Sequence, residues 1–240
     1  IGLTVDDSLM RIHLARPVEE GPWPGLIFYS DIYQLGDPIL RLANRLAGSG
    51  FVVAAPEIFH RVEPVGTVIE PDAIGRLRGN DAARRTEIAS YDADARAVLT
   101  WLSEQTEVDE QRLGAIGFCI GGHLSFRAAM RPEVRATACL YPTGVQNGKL
   151  GRGIADSLQR AGEIKGALFT LFGSEDPHVP AEDRDRVLEA LRGLRHETVL
   201  FEANHTFMRD DGWRWDPDLA DQAWAAVITF LRRELSPAQP

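Results

Sequence analysis

Cys119 lies in a motif that could make it a nucleophile. Residues 113–122 read LGAIGFCIGG, an apolar run followed by a glycine-flanked cysteine. This is the G-x-S-x-G pattern of a nucleophile elbow with Cys in place of Ser, in which the glycines let a strand turn directly into a helix. A helix N-terminus favours the thiolate, and the amide of Ile120 would face the oxyanion formed on a carbonyl. The pattern predicts acyl transfer through Cys119, whereas Cys139, inside an apolar run, is predicted to be a core residue.

Such a nucleophile needs a base and a group that orients the base. Nucleophile-elbow enzymes supply them in the chain order nucleophile, acid, histidine. After Cys119, the apolar run 167–172 ends in GSEDPHVP and the run 198–201 ends in EANHTF. Because both segments follow the ends of predicted strands, they can converge on the thiol. We expect Asp176 to be the acid and His205 to be the base.

Other residues on these segments compete for the same roles. Asp176 is preferred to Glu175 because Asp favours the tight turn that Pro177 enforces. His178 is the main competitor for the base, but it lies two residues from the acid on the same loop and could not easily face it. His123 stays open between lining the pocket and packing, and His60 stays open between contacting the substrate and a surface role.

Short apolar runs bounded by turn residues predict the strands that must position these groups. Runs without polar alternation are typical of parallel strands that are buried on both faces. Residues 10–16 alternate instead, which predicts a half-solvated edge strand. The uninterrupted runs are 25–29, 51–55, 113–118, 134–141, 167–172 and 198–201.

Helical periodicity between these runs predicts an α/β fold with a mostly parallel central sheet and helices on both faces. No repeat or long linker divides the chain, so residues 1–240 are interpreted as one domain. Two polar, glycine-containing stretches, 62–85 and 142–165, fit no element and are predicted to be binding loops or lids. The predicted helices are 38–47, 89–104, 125–130, 182–194 and 219–235.

The composition excludes several classes of protein. The chain is 44% hydrophobic and 25% charged, has a net charge of −9 and contains two cysteines. Neither nucleic acid nor an anionic membrane is an expected partner, and no apolar run approaches a membrane span. No metal-ligand spacing or nucleotide-binding glycine motif occurs, so we expect no metal and no cofactor. Few cysteines and no leader pattern favour a cytoplasmic protein.

These motifs resemble the dienelactone hydrolase family of α/β-hydrolases. The resemblance rests on GFCIGG at 117–122, on the G-x-x-D-x-x-V-P spacing of 173–180 and on His-Thr-Phe at 205–207, and it extends from about residue 23 to the C-terminal helix. It implies an α/β-hydrolase fold without a large cap domain, and a monomer. It also implies hydrolysis of a small, carboxylate-bearing lactone or ester through an acyl-cysteine intermediate.

The resemblance also implies roles for residues outside the triad. The second oxyanion donor would be the amide of Ile32, followed by the aromatic Tyr33 as a substrate-binding residue. Arg209 and Arg78 would hold the substrate carboxylate, since a guanidinium donates two parallel hydrogen bonds. The family has a Glu that helps to activate the thiol where this chain has Asp31, which is one methylene shorter.

Two alternatives to a lactone hydrolase remain. One is a general carboxylesterase for small esters, without carboxylate recognition, and the other is a catalytically silent fold used for binding. A thiol-redox role is disfavoured because no C-x-x-C motif occurs. Trp213 and Trp215 could wall a pocket, cap the core or form a dimer contact.

Overall fold

A computed structural model describes residues 1–237 and contains one eight-stranded sheet. The strand order is β1-β2-β4-β3-β5-β6-β7-β8. β1 and β2, and likewise β2 and β4, pair antiparallel, whereas all other neighbouring strands are parallel. The strands are β1 Gly2–Val5, β2 Ser8–Ala15, β3 Trp23–Tyr29, β4 Val52–Pro56, β5 Val108–Phe118, β6 Val134–Leu140, β7 Ala167–Gly173 and β8 His196–Phe201.

Six α-helices cover both faces of this sheet within the described residues, as the sequence predicts. α1 and α6 share an apolar cluster built around Phe28, Phe118 and Trp224 on one face. α3 and α4 pack on the opposite face, where buried residues such as Leu99 and Leu124 contribute. The helices are α1 Asp37–Ala47, α2 Ala73–Arg85, α3 Ile88–Ser103, α4 Ile120–Ala128, α5 Ala181–Ala190 and α6 Pro217–Glu234. None of them is long and apolar enough to cross a membrane.

The strand predicted to form the edge of the sheet is the second strand from that edge. β2 covers most of the alternating segment 10–16, but β1 pairs with its outer side and forms the edge. β1 has only four residues and is largely exposed, so its sequence carries no burial signal. The expectation that residues 10–16 form the edge strand is therefore wrong.

Helix α2 corrects the expectation that residues 62–85 form an extended loop. Its buried positions are small residues, Gly75, Gly79, Ala82 and Ala83, while Ile74 and Leu77 are exposed. The apolar periodicity that normally indicates a helix is therefore absent. The helix begins instead at the Asp72 cap, whose carboxylate accepts a hydrogen bond from Gly75 N–H at 2.6 Å.

Candidate active site

Cys119 occupies a strained turn between β5 and α4. Its backbone has φ 56° and ψ −119°, a region that non-glycine residues rarely adopt. Gly121 must lack a side chain, since a Cβ there would lie 2.3 Å from the carbonyl oxygen of Ser30. The end of β3 and the first turn of α4 can thus meet closely, as the elbow motif predicts.

Backbone hydrogen bonds on both sides of Cys119 hold this conformation. Its N–H donates to the carbonyl oxygen of Leu140 at 3.1 Å. Its own carbonyl oxygen accepts hydrogen bonds from the N–H groups of Gly122 and Thr143, each at 3.1 Å. The cysteine is therefore fixed by its own helix and by the segment that follows β6.

His205 and Asp176 meet at the ends of β7 and β8. Nδ1 of His205 lies 2.6 Å from Oδ2 of Asp176, and both side chains are almost completely buried. The other carboxylate oxygen of Asp176 accepts a hydrogen bond from the backbone N–H of His178 at 2.8 Å. Because Nδ1 faces the carboxylate, the opposite nitrogen of the imidazole is left for chemistry in the cavity.

The charges around His205 favour its protonated form. Burial alone would lower the pKa of His205, but the Cys119 sulfur and the Asp176 carboxylate outweigh it and raise this pKa to about 9. Burial would raise the pKa of Asp176, but the hydrogen bond to His205 and its charge lower it below the usual value. The arrangement favours an imidazolium at His205 beside an ionised Asp176.

Two aromatic rings pack against the edges of the His205 imidazole. The Tyr141 ring lies 5.1 Å away and the His178 ring 4.6 Å away, between ring centroids, both in edge-to-face geometry. His178 therefore lies against His205 as a packing neighbour, and it is His205 whose ring nitrogen contacts the carboxylate of Asp176. Burial and the nearby charge of His205 lower the pKa of His178.

Two backbone N–H groups that line the cavity with Cys119 have no acceptor within the described residues. Ile32 follows β3 and Ile120 begins α4, and both line the same cavity as Cys119. Within residues 1–237, neither N–H has a hydrogen-bond acceptor. Free amides at a helix N-terminus and a neighbouring loop can receive a developing oxyanion.

The cavity that contains Cys119 and His205 has a volume of about 920 Å³. Both segments that the sequence predicts to be binding loops contribute to its lining. Six cationic side chains line it against two carboxylates, those of Asp31 and Asp211, although the chain as a whole carries −9. The cations are Arg76, Arg84, Lys149, Arg152, Arg209 and Arg214.

Arg209 is held between two carboxylates at the base of this cavity. Its Nη1 lies 2.5 Å from Oδ2 of Asp31, and its Nε lies 2.7 Å from Oδ1 of Asp211. The guanidinium also stacks on the Tyr33 ring at 5.2 Å from its centroid. Burial raises the pKa of Asp31, an effect that the charge of Arg209 and the N–H of Tyr33 oppose.

Comparison with known proteins identifies the family of this chain. The model of the dienelactone hydrolase family matches residues 10–235. The chain belongs to the dienelactone hydrolase family. A Saccharomyces cerevisiae protein named "Putative carboxymethylenebutenolidase" is 34% identical over 95% of this chain and 88% of its own length. A Synechocystis protein of the same name is 29% identical over 97% of this chain and 96% of its own length.

The fold is shared with solved structures of this family. The crystal structure titled "Putative Dienelactone Hydrolase", from Klebsiella pneumoniae, superposes with a TM-score of 0.80 at 22% identity. The match covers 97% of this chain and 96% of that chain. This superposition shows that the chain has an α/β-hydrolase fold. The family match and the curated relatives make it a carboxymethylenebutenolidase-like hydrolase.

Arg78 does not lie where the resemblance to this dienelactone hydrolase family places a carboxylate-binding arginine. Its guanidinium pairs with Glu63 at 2.6 Å on the surface and is about half exposed. Arg76 lines the cavity instead, on the face of α2 that also carries Asn80 and Arg84. Two residues correspond to a rotation of about 200° around a helix, so Arg76 and Arg78 point in nearly opposite directions.

The remaining residues that the sequence left open now have locations. His60 is buried, and its two ring nitrogens contact Ser8 at 2.9 Å and Asp94 at 3.1 Å, away from the cavity. Trp213 lines the cavity mouth and is 85% exposed, whereas Trp215 lies outside the lining.

The second thiol and the inner histidine are both buried. Cys139 is fully enclosed in β6, as predicted, and burial raises the pKa of its thiol far above the usual value. His123 is also fully buried, in the first turn of α4, and its Nδ1 lies 3.1 Å from the carbonyl oxygen of Thr143. Its contact with Thr143 lies outside any sequence motif, because the two residues are brought together only by the fold.

Proposed function

We propose that this chain hydrolyses a small lactone or ester by a Cys-His-Asp mechanism with an acyl-cysteine intermediate. The observation that carries the proposal is the 2.6 Å contact between His205 and Asp176 at the cavity that also contains Cys119. With the Asp176 carboxylate bonded to Nδ1, the His205 imidazole can take the proton that leaves the Cys119 thiol, so that a thiolate beside an imidazolium is the reactive form.

In the acylation half-reaction, the Cys119 sulfur forms a bond to the substrate carbonyl carbon. The carbonyl electron pair moves to its oxygen, and the N–H groups of Ile32 and Ile120, which line the cavity, would receive this oxyanion. When the tetrahedral intermediate collapses, the C–O bond breaks and the leaving oxygen takes the proton of His205. In a lactone the leaving oxygen stays attached to the acyl group, so the ring opens.

In the deacylation half-reaction, neutral His205 takes a proton from water while the water oxygen attacks the thioester carbonyl. The C–S bond then breaks, the sulfur leaves as a thiolate, and the carboxylic acid is released. This restores the imidazolium beside the thiolate. Asp176 stays ionised throughout and keeps the imidazole oriented.

The cavity charges favour a substrate that carries an anionic group. Arg209 is already paired with Asp31 and Asp211, so its charge is largely neutralised. Arg76 has no carboxylate partner within the described residues and lines the same cavity. We infer that Arg76, and not Arg78, contacts a substrate carboxylate.

Hydrolysis of a dienelactone and of p-nitrophenyl acetate by the wild-type protein and by Cys119→Ala tests this proposal. Lactone hydrolysis that disappears in the variant, with mass spectrometry detecting an acyl adduct on Cys119 during turnover, is the expected result. Ester hydrolysis without lactone hydrolysis would keep the nucleophile but favour the general carboxylesterase. Equal rates for both proteins would remove Cys119 from the mechanism, and no turnover at all would favour a silent binding fold.

A further inference from the structure

Thr143 contacts the nucleophile with both its backbone and its side chain. Its N–H donates to the carbonyl oxygen of Cys119 at 3.1 Å, and its Oγ1 lies 3.7 Å from the Cys119 sulfur. The latter distance is within the range of a hydrogen bond to sulfur. Within residues 1–237, Oγ1 has no other hydrogen-bond partner, so its proton is available to the sulfur.

A buried chain of hydrogen bonds connects Thr143 to Arg127, which lies one turn after His123 on the same face of α4. The carbonyl oxygen of Thr143 lies 3.1 Å from Nδ1 of His123, and Nε2 of His123 lies 2.7 Å from Oγ of Ser157. Nη1 of Arg127 lies 3.1 Å from the same Oγ. His123 and Ser157 are fully buried.

The hydrogen-bonding capacities of these groups determine the direction of every bond. Arginine can only donate, so Ser157 accepts from Arg127 and has its own proton free for Nε2 of His123. A carbonyl oxygen can only accept, so Nδ1 of His123 must carry the imidazole proton and donate to Thr143. Burial and the charge of Arg127 lower the pKa of His123 to about 3, which keeps this imidazole neutral.

Ion pairs fix the outer end of the chain. Arg127 lies 2.6 Å from Asp92 and 2.8 Å from Asp156, and its own side chain is only 5% exposed. The two aspartates are partly exposed and surround the guanidinium from the solvent side. Thr143 is thus held by His123, Ser157 and Arg127, none of which contacts the Cys119 sulfur.

We propose that Thr143 is a further catalytic residue, whose hydroxyl donates a hydrogen bond to the Cys119 sulfur, and that His123 and Ser157 are positioning residues that hold Thr143 in place. This inference rests on the proposed role of Cys119 as nucleophile. A thiolate can only accept, so once the thiol proton has passed to His205 the hydroxyl must be the donor. The same bond would stabilise the sulfur when the C–S bond breaks in deacylation and the electron pair returns to it.

Replacing the hydroxyl without changing its shape tests the role of Thr143. In Thr143→Val we expect the ratio of thiolate to thiol at neutral pH to fall about tenfold, as expected for loss of a hydrogen bond to a charged group. Thr143→Ser keeps the hydroxyl and should return this ratio most of the way to the wild-type value. The measurements are the ultraviolet absorbance of the thiolate and the rate of alkylation by iodoacetamide, with Cys119→Ala as the background.

A matched pair of variants tests the positioning role of His123. In His123→Asn the amide nitrogen can replace Nδ1 as the donor to Thr143, whereas in His123→Gln the longer side chain reaches towards Ser157 instead. We expect the Asn variant to keep more of the thiolate absorbance than the Gln variant. Thermal unfolding of both variants provides the folding control, since a merely structural role would move their stability and not the thiolate signal.

The alkylation assay separates this inference from the proposed function. If Thr143→Val keeps the wild-type thiolate absorbance and alkylation rate, the inference is wrong even if the triad mechanism holds. If the wild-type protein gives the same absorbance as Cys119→Ala, the resting thiolate and the donor role of Thr143 are both excluded. If Thr143→Val loses the signal and Thr143→Ser also fails to restore it, packing and not the hydroxyl is responsible, which likewise overturns the proposal.

Discussion

Nη1 of Arg209 lies 2.5 Å from Oδ2 of Asp31, so the arginine expected to hold a substrate carboxylate already holds one from the protein. Both side chains are at least nine-tenths buried, and Asp211 flanks the guanidinium on its other side. Asp31 directly precedes Ile32, whose amide is a proposed oxyanion donor. The pair therefore ties the segment after β3 to the segment that follows His205.

Replacing Arg209 is expected to destabilise the protein more than replacing Asp31. Arg209→Met leaves the buried Asp31 carboxylate without a counter-charge and should lower the free energy of unfolding by about 3 kcal/mol. Asp31→Asn leaves Arg209 with Asp211 and should cost about 1 kcal/mol. Urea unfolding of both variants and of the double variant measures the coupling energy between Arg209 and Asp31. If the losses in the free energy of unfolding are strictly additive, the two side chains do not interact directly.

Selectivity for anionic substrates is expected to depend on Arg76 and not on Arg78. Arg76→Gln removes an unpaired charge from the cavity and should lower kcat/KM for a carboxylate-bearing ester about tenfold, with little effect on a neutral ester. Arg78→Gln is the matched control on the same helix, because its guanidinium pairs with Glu63 outside the cavity. The reverse pattern would restore Arg78 as the substrate-binding residue.

The pH dependence should reveal the protonation of His205. Its pKa is raised from 6.5 to about 9, so the stabilising charge is fully present below pH 6.5 and is lost as the pH rises through 9. The leaving group of an alkyl ester must take the proton of His205, so kcat/KM for such an ester should fall as the pH rises through about 9. A nitrophenyl ester has a leaving group that needs no proton and should not show the fall. A decline already centred near pH 6.5 would contradict the raised pKa.

Adding a single methyl group at the elbow should be damaging. In Gly121→Ala the new Cβ would lie 2.3 Å from the Ser30 carbonyl oxygen, and we expect a loss of about 3 kcal/mol in stability together with loss of hydrolysis. Gly162→Ala is the matched control, since a Cβ there meets no atom within 4 Å. Equal thermal stability of the two variants would argue against close contact between β3 and α4.

Local sequence patterns predicted the elements whose signals are local. The spacing of the glycines around Cys119 predicts the elbow. Asp176 and His205 are predicted because each follows an apolar run, and the two runs end at the same edge of the sheet. Helix α2 could not be predicted in this way, because it is buried through Gly75 and Gly79 and leaves Leu77 exposed. Because the sequence gives no sign of this helix, it does not show which arginine faces the cavity, and it is Arg76 that lines the cavity where Arg78 is expected.

The contacts that no sequence pattern predicted are those made between distant segments. Thr143 and His123 are twenty residues apart and meet only because α4 and the segment after β6 leave neighbouring strands at the same end. Asp31 and Arg209 are separated by 178 residues. Which oppositely charged side chains pair depends on the three-dimensional arrangement of loops, and composition or periodicity carries no information about it.

The contrast between the two cysteines gives the chain an internal reporter. Cys119 faces the cavity, whereas Cys139 is fully enclosed within the sheet. A thiol reagent added to the native protein should therefore label one site per molecule, and the second site should become labelled only when the sheet opens. Counting labelled thiols over time would record access to the cavity and opening of the sheet as two separate events in one sample.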